Sequence, residues 1–422
     1  MRTASTLETL ALSRKAMRIL TAVFVLWQLT HVHAAQGKDC IVPLGAHPNR
    51  YLPVIASQTR GILRPAGNRS ILIKKRERVH VACAGKNNNF VGQNVAIMNL
   101  TCKDTGRLES SNSNRFTLNC TKDIDETINE TDTTCGSNSK TIFIGWSTAN
   151  GRFFRQIEVC FNYNTLATDY THHIIHGDSV PFRDRDVSWQ GRASFKQDKF
   201  FSGMSPSIAT SYSKEKQKET LTLSLGSRER AEHYIGGWGP SSYLAKGHLS
   251  PDADFALQSQ QDATYHFINV APQWQEFNNG NWKVLENASR IKATTPTPHD
   301  LHIFTGTYGI VMLQDTNGND VPFYLAQGNK RQVPVPKYIW KIVADYRKNE
   351  SVAFVLLNQP ATNPTYSEPP VCNDVCNRIH WVSWKARNDP HKGVMYCCSV
   401  SELRQRFRNI PREVPGTKLL ER

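Results

Sequence analysis

Acidic residues are in short supply here: 36 Asp and Glu face 51 Lys and Arg, a formal net charge of +15. A balance this basic biases the protein toward polyanions, whether nucleic acid, glycosaminoglycan or an acidic membrane surface. Long apolar runs are missing beyond Ile19 to Leu29, so no other stretch can cross a bilayer and no membrane partner is expected. Internal repeats are missing too, which removes repeat architectures. No cysteine is left over from an even count of ten, which argues against free-thiol chemistry.

What is present begins with an export signal. Arg14, Lys15 and Arg18 precede the apolar run, and Val32-His33-Ala34 supplies a small-residue cleavage site, so residues 1–35 read as a signal peptide. Removing residues 1–34 takes away four cations and Glu8, which leaves +12 and a secreted, extracellular protein. Export makes the cysteines disulfide partners rather than zinc ligands, because the compartment is oxidising and the adjacent Cys397 and Cys398 are awkward joint ligands. Their pairing is not legible in the sequence. Six Asn-X-Ser/Thr sequons, at Asn68, Asn99, Asn119, Asn129, Asn287 and Asn349, fit an exported glycoprotein. A glycan on Asn287 would have to point away from a neighbouring cleft.

A chain of 422 residues is too long for one small core, and its texture changes near residue 150. Residues 36–150 alternate β-prone pieces, such as Ser70 to Lys74 and Arg78 to Ala82, with Asn- and Ser-rich loops. They read as a small disulfide-stapled β-rich accessory domain without a catalytic cluster. Residues 151–410 form the main domain and 411–422 a tail. Strands are expected at Thr141 to Gly145, Phe154 to Phe161 and Tyr170 to His176. Alternation puts His172 and His173 on opposite faces, so they and His176 read as structural rather than as a metal site. Lys214 to Leu225 reads as a helix ended by Gly226. His302 to Leu313 reads as a strand pair, and Val333 to Val343 as a late core strand. Asn317-Gly318 reads as a hairpin turn rather than a calcium loop, whose downstream Glu is missing. Pro360 to Pro370 is a loop, and Ser401 to Asn409 a short terminal helix.

The chain is organised around Tyr243 to Glu286. Its first piece, YLAKGHLSPDADF, puts His248 at a strand end before a Ser-Pro-Asp turn. Its second, FINVAPQWQEFNNGNWKVLE, closes in a helical pattern that lines up Asn278, Trp282 and Glu286 along one face. A histidine at a turn, with a carboxamide and a carboxylate on a facing helix, suits metal-assisted hydrolysis. Neutral imidazole can accept a proton from water, and a hard cation wants oxygen ligands.

This pair of motifs, thirty residues apart from His248 to Asn278, resembles the active-site signature of the DNA/RNA non-specific endonucleases. These are the ββα-metal nucleases related to mitochondrial endonuclease G, and the form is that of their secreted arthropod (gut or salivary) branch. The resemblance implies an α+β fold, with a mostly antiparallel central sheet flanked by helices. It also implies a Mg2+-dependent hydrolysis of DNA and RNA, with Mn2+ or another divalent cation as a substitute. His248 would be the general base, Asn278 the metal ligand and Glu286 the residue that orients the metal's waters. Asn269 and Gln273 match the Asn-x-x-Pro-Gln pattern and would fix the metal loop. Arg192, in Arg-Ala-Ser-Phe-Lys-Gln-Asp, is similar to the family's phosphate-gripping arginine, with Arg228 and Arg230 as rivals. One position departs from the family: Lys246 precedes Gly247-His248 where the branch keeps arginine. Lysine keeps the charge and loses the fork, which leaves a second reading, a nucleic-acid-binding protein with weak residual hydrolysis.

Overall fold

The computed structural model describes residues 37–44, 51–67, 69–110, 116–147, 151–184, 192–327, 332–360 and 370–422. The signal segment 1–35, the Asn68 sequon and residues 361–369 of the Pro-rich loop lie outside the described residues.

The N-terminal region is built from short strands. Gly61–Ile62, Val54–Ser57, Arg78–Ala82, Ile97–Cys102 and Leu108–Ser110 form a five-stranded sheet in that order. Cys40–Pro43, Ser70–Ile73 and Pro65–Ala66 form a second sheet of three. Alternation explains the strand Ser70–Ile73: Ile71 and Ile73 are buried while Leu72 between them is exposed. Two disulfides, Cys40–Cys102 and Cys83–Cys120, tie this small core together, as a β unit with few large side chains requires.

A central sheet of nine strands follows, antiparallel throughout except for Lys418–Leu419, which runs parallel to Glu350–Leu357. Its middle is the run Glu350–Leu357, Tyr338–Asp345, Asp300–Tyr308, Ala167–His176 and Phe153–Asn162. Thr127–Gly136 and Ser139–Ser147 hydrogen-bond into the same sheet, so the sheet extends back past residue 150. Both faces are covered. Ile303, Val343 and Phe354 pack with the helix Lys283–Thr294 on one side; Phe304, Trp340 and Val355 pack with the helix Val400–Arg406 on the other. Double-sided burial explains why Tyr338–Asp345 and Glu350–Leu357 are buried along nearly their whole length and mostly apolar, with Lys341 the one charge inside the first.

All ten cysteines are bridged, the remaining pairs being Cys135–Cys160, Cys372–Cys398 and Cys376–Cys397. The helix Lys214–Leu225 ends at Gly226, whose φ of +70° suits a residue without a side chain. Two expected strands differ. Val333 to Val343 is broken, with Gln332–Pro334 in a separate pair and Tyr338–Asp345 in the sheet, because Pro334 and Pro336 cannot donate to a ladder. His302 to Leu313 does not fold on itself: Asp300–Tyr308 stays in the central sheet, and Met312–Gln314 pairs instead with Asp320–Pro322 across the Asn317-Gly318 turn.

Candidate active site

His248 ends the strand Leu244–His248, which pairs antiparallel with Val270–Trp274 to make a hairpin lying on the central sheet. Gly247 is required by that pairing. A Cβ there would stand 2.4 Å from Oε1 and 2.8 Å from Cβ of Gln273, its diagonal neighbour. Asn269, fully buried, locks the turn that follows His248. Its Oδ1 accepts the Ser250 N–H at 3.0 Å, and its Nδ2 donates to the Ser250 and Thr264 carbonyls, each at 2.9 Å. Asn269 thus holds the turn by hydrogen bonds, whereas Gln273, buried beside Gly247, has no hydrogen-bond partner at its Nε2.

The His248 ring packs in a triangle with Phe195 and Tyr265, its centroid 5.0 Å from each and theirs 5.0 Å apart. Its Nε2 is buried and has no hydrogen-bond partner. Burial holds its pKa down to about 4; Asp252 opposes that shift and Arg192 adds to it. The imidazole is neutral over the ordinary pH range. Arg192 is exposed, and its charge reaches His248. The Lys246 ammonium lies 5.1, 5.5 and 5.9 Å from the Phe195, Phe267 and Tyr212 ring centroids, and burial lowers its pKa. Arg228 is engaged by Glu215 and Glu232, and Arg230 by the Gln314 carbonyl, so their contacts belong to the outer helices.

Asn278 and Glu286 do not share one continuous helix, which corrects the single-face expectation. Asn278–Trp282 is a widened turn with a non-helical Gly280 (ψ −126°), and the regular helix begins at Lys283. The cause is a close approach: a Cβ on Gly280 would lie 2.4 Å from the Lys392 carbonyl. The half-buried Asn278 carboxamide makes no hydrogen bond to a described residue. Glu286 is half-buried and likewise without a hydrogen bond among the described residues. Burial raises its pKa to about 7, with Lys341 and Arg290 acting against that and Asp254 and Asp252 adding to it. Asp252 acts on His248 and Glu286 alike, so the two belong to one electrostatic neighbourhood.

Sequence reasoning missed the layer beneath. Asp254 is buried between His173 Nε2 at 2.9 Å and the Arg290 guanidinium at 2.8 Å. Ser250 donates to Thr171, and the buried Lys341 ammonium donates to Thr305. His173, Thr171, Thr305 and Lys341 thus form a polar stripe on the sheet face under the hairpin, and the Ser-Pro-Asp turn is bolted to it. Tyr265 O–H donates to Asp252 at 2.7 Å. The two aspartates of SPDADF were the available signal. His172 and His176 face other partners, His302 and Asp300, so the three histidines form no joint site.

A carboxamide oxygen without a hydrogen bond to a described residue, in a chain whose cysteines are all bridged, offers a ligand to a hard divalent cation rather than to zinc. The unpartnered Asn278 side chain is the observation that fits such an ion.

The DNA/RNA non-specific endonuclease family model matches residues 136–403, and the chain belongs to that family. It is similar to a salivary endonuclease of Lutzomyia longipalpis, 29% identical over 355 residues, 83% of this chain and 78% of that one. A salivary endonuclease of Culex quinquefasciatus is 26% identical over 386 residues, 90% of this chain and 91% of that one. Salivary protein Tsal2A of Glossina morsitans morsitans is 22% identical over 377 residues, covering 87% and 91%.

Proposed function

We propose that the protein is a secreted, divalent-metal-dependent endonuclease that hydrolyses phosphodiester bonds in both DNA and RNA. The observation carrying this reading is the His248 imidazole, neutral and without a hydrogen-bond partner at Nε2, so that this nitrogen is left free to accept a proton. Nε2 takes a proton from the water that attacks phosphorus. The P–O3′ bond breaks, the 3′-oxygen is protonated from solvent, and the product carries a 5′-phosphate. Arg192 grips a non-bridging phosphate oxygen, where a planar fork serves better than a point charge. Asn269 and Gln273 keep the His248 strand in place. Asn278 would hold Mg2+, with Glu286 orienting its waters; the ion when bound supplies charge neutralisation at the phosphoryl and leaving oxygens. Phosphate contacts without base contacts account for tolerance of either sugar. The similarity to salivary relatives supports secretion. The accessory unit is then best drawn as ending before Thr127, where the central sheet begins.

The second reading, a binder with weak hydrolysis, draws on Lys246, whose ammonium sits against three rings and makes no hydrogen bond to a described residue. One experiment separates them. Purified protein is incubated with plasmid and total RNA with and without Mg2+, beside His248→Ala. Metal-dependent cutting of both substrates, lost in the variant while binding persists, supports the enzyme. Equal slow cutting by both proteins supports the binder.

A further inference from the structure

A groove of about 950 Å3 runs from the Asn279–Asn281 turn between the start of the helix Lys283–Thr294 and the segment 383–392. Lys283, Lys385, Lys392 and His391 line it and are all exposed. None of the three ammonium groups forms an ion pair or hydrogen bond with a described residue, whereas Lys196, Lys216 and Lys418 are each matched to a glutamate. Glu276 is the single acid among the described residues of the lining. We propose that this groove binds the single nucleic-acid strand flanking the scissile phosphate. The proposal deepens the nuclease reading and rests on it for the position of the cut.

Three observations carry it. First, the lysines are held in fixed register with the candidate metal ligand. Asn281 Nδ2 donates to the Ala386 and Gly393 carbonyls at 2.8 and 2.7 Å, and its N–H donates to the Lys392 carbonyl at 2.9 Å. The disulfides Cys372–Cys398 and Cys376–Cys397 fasten the same segment to the sheet edge. Unpaired lysines on a fixed frame cost little further ordering when phosphates arrive. Second, the groove is lined by Asn279, Gly280 and Asn281, the turn that directly follows the candidate metal ligand Asn278 in the chain. Third, Trp238 also lines it, its indole N–H given to the Tyr234 carbonyl at 2.8 Å and its ring set 5.2 Å from that of Trp274. An anchored indole beside lysines is a platform for an unpaired base. The Asn287 sequon also lines this groove.

The test uses the full chain in chelator, with fluorescent single strands of about 6 and about 20 nucleotides and a duplex of the longer length, titrated against salt. Replacing Lys283, Lys385 and Lys392 together by serine should lower the salt slope on the long strand by about 2, and weaken its binding tenfold or more. The short strand should be unaffected. A conservative variant with arginine at the three positions should keep the parent slope. An unchanged slope on the long strand overturns the groove, and an equal change on the duplex overturns its assignment to a single strand. If the lysines matter only after Asn287→Gln, a glycan fills the groove and the proposal fails. Because binding is read without metal, a parent protein that does not cut but shows the slope change keeps the groove and loses the nuclease reading.

Discussion

His248 and Glu286 are displaced in opposite directions by the same cause, and their effects on stability oppose each other. Unfolded Glu286 titrates near 4.5 and folded Glu286 near 7. Between those values the folded chain holds a proton the unfolded chain has released, so stability falls as pH rises through the window. For His248 the unfolded value is 6.5 and the folded value about 4, so the unfolded chain holds the extra proton and stability rises with pH from about 4 to 6.5. Each displacement is worth roughly 3 kcal/mol at most, since the half-buried Glu286 carboxyl keeps some water. In the parent protein the two slopes nearly cancel. Glu286→Gln removes the falling component, so its stability relative to the parent should climb by up to about 3 kcal/mol between about pH 4.5 and 7. His248→Asn should drift the other way. Urea unfolding in chelator across this range measures both, and subtracting the parent curve removes the other titrating groups. Parallel curves for Glu286→Gln and the parent would refute the burial of that carboxyl.

Three further outcomes are expected. Gly247→Ala drives a methyl into Gln273 and should cost about 1–3 kcal/mol by thermal or urea unfolding, with only part of it recovered in Gly247→Ala/Gln273→Ala, which removes Oε1 but keeps the Gln273 Cβ; a neutral single variant would mean the hairpin yields easily. Asp254→Ala strands the Arg290 guanidinium beneath the hairpin and should cost about 3–5 kcal/mol, against a smaller loss for Asp254→Asn. Lys246→Arg should raise kcat about tenfold with little change in KM, the worth of one added charge-assisted hydrogen bond in the transition state; a change in KM alone would assign the residue to ground-state binding.

The family was legible in the chain because the motifs that carry it are written locally. The Gly-His pair, the Ser-Pro-Asp turn and the spacing Asn269, Gln273, Asn278, Glu286 are short-range facts of one stretch. Local alternation also placed the strand Ala167–His176 correctly and separated His172 from His173. The sequence determined, by its ten cysteines, that disulfides would staple the fold; which sulfurs meet depends on strands far apart in the chain. Contacts across the sheet decided everything else. Gly280 breaks the helix because Lys392, over a hundred residues later, presses its carbonyl there. Asp254 finds His173 from a strand it does not adjoin in sequence, and the unpaired lysines converge from two segments held by a disulfide-bonded loop. Such long-range meetings leave no periodicity behind, because a side chain's partner across a sheet is fixed by topology and register and not by its neighbours in the chain.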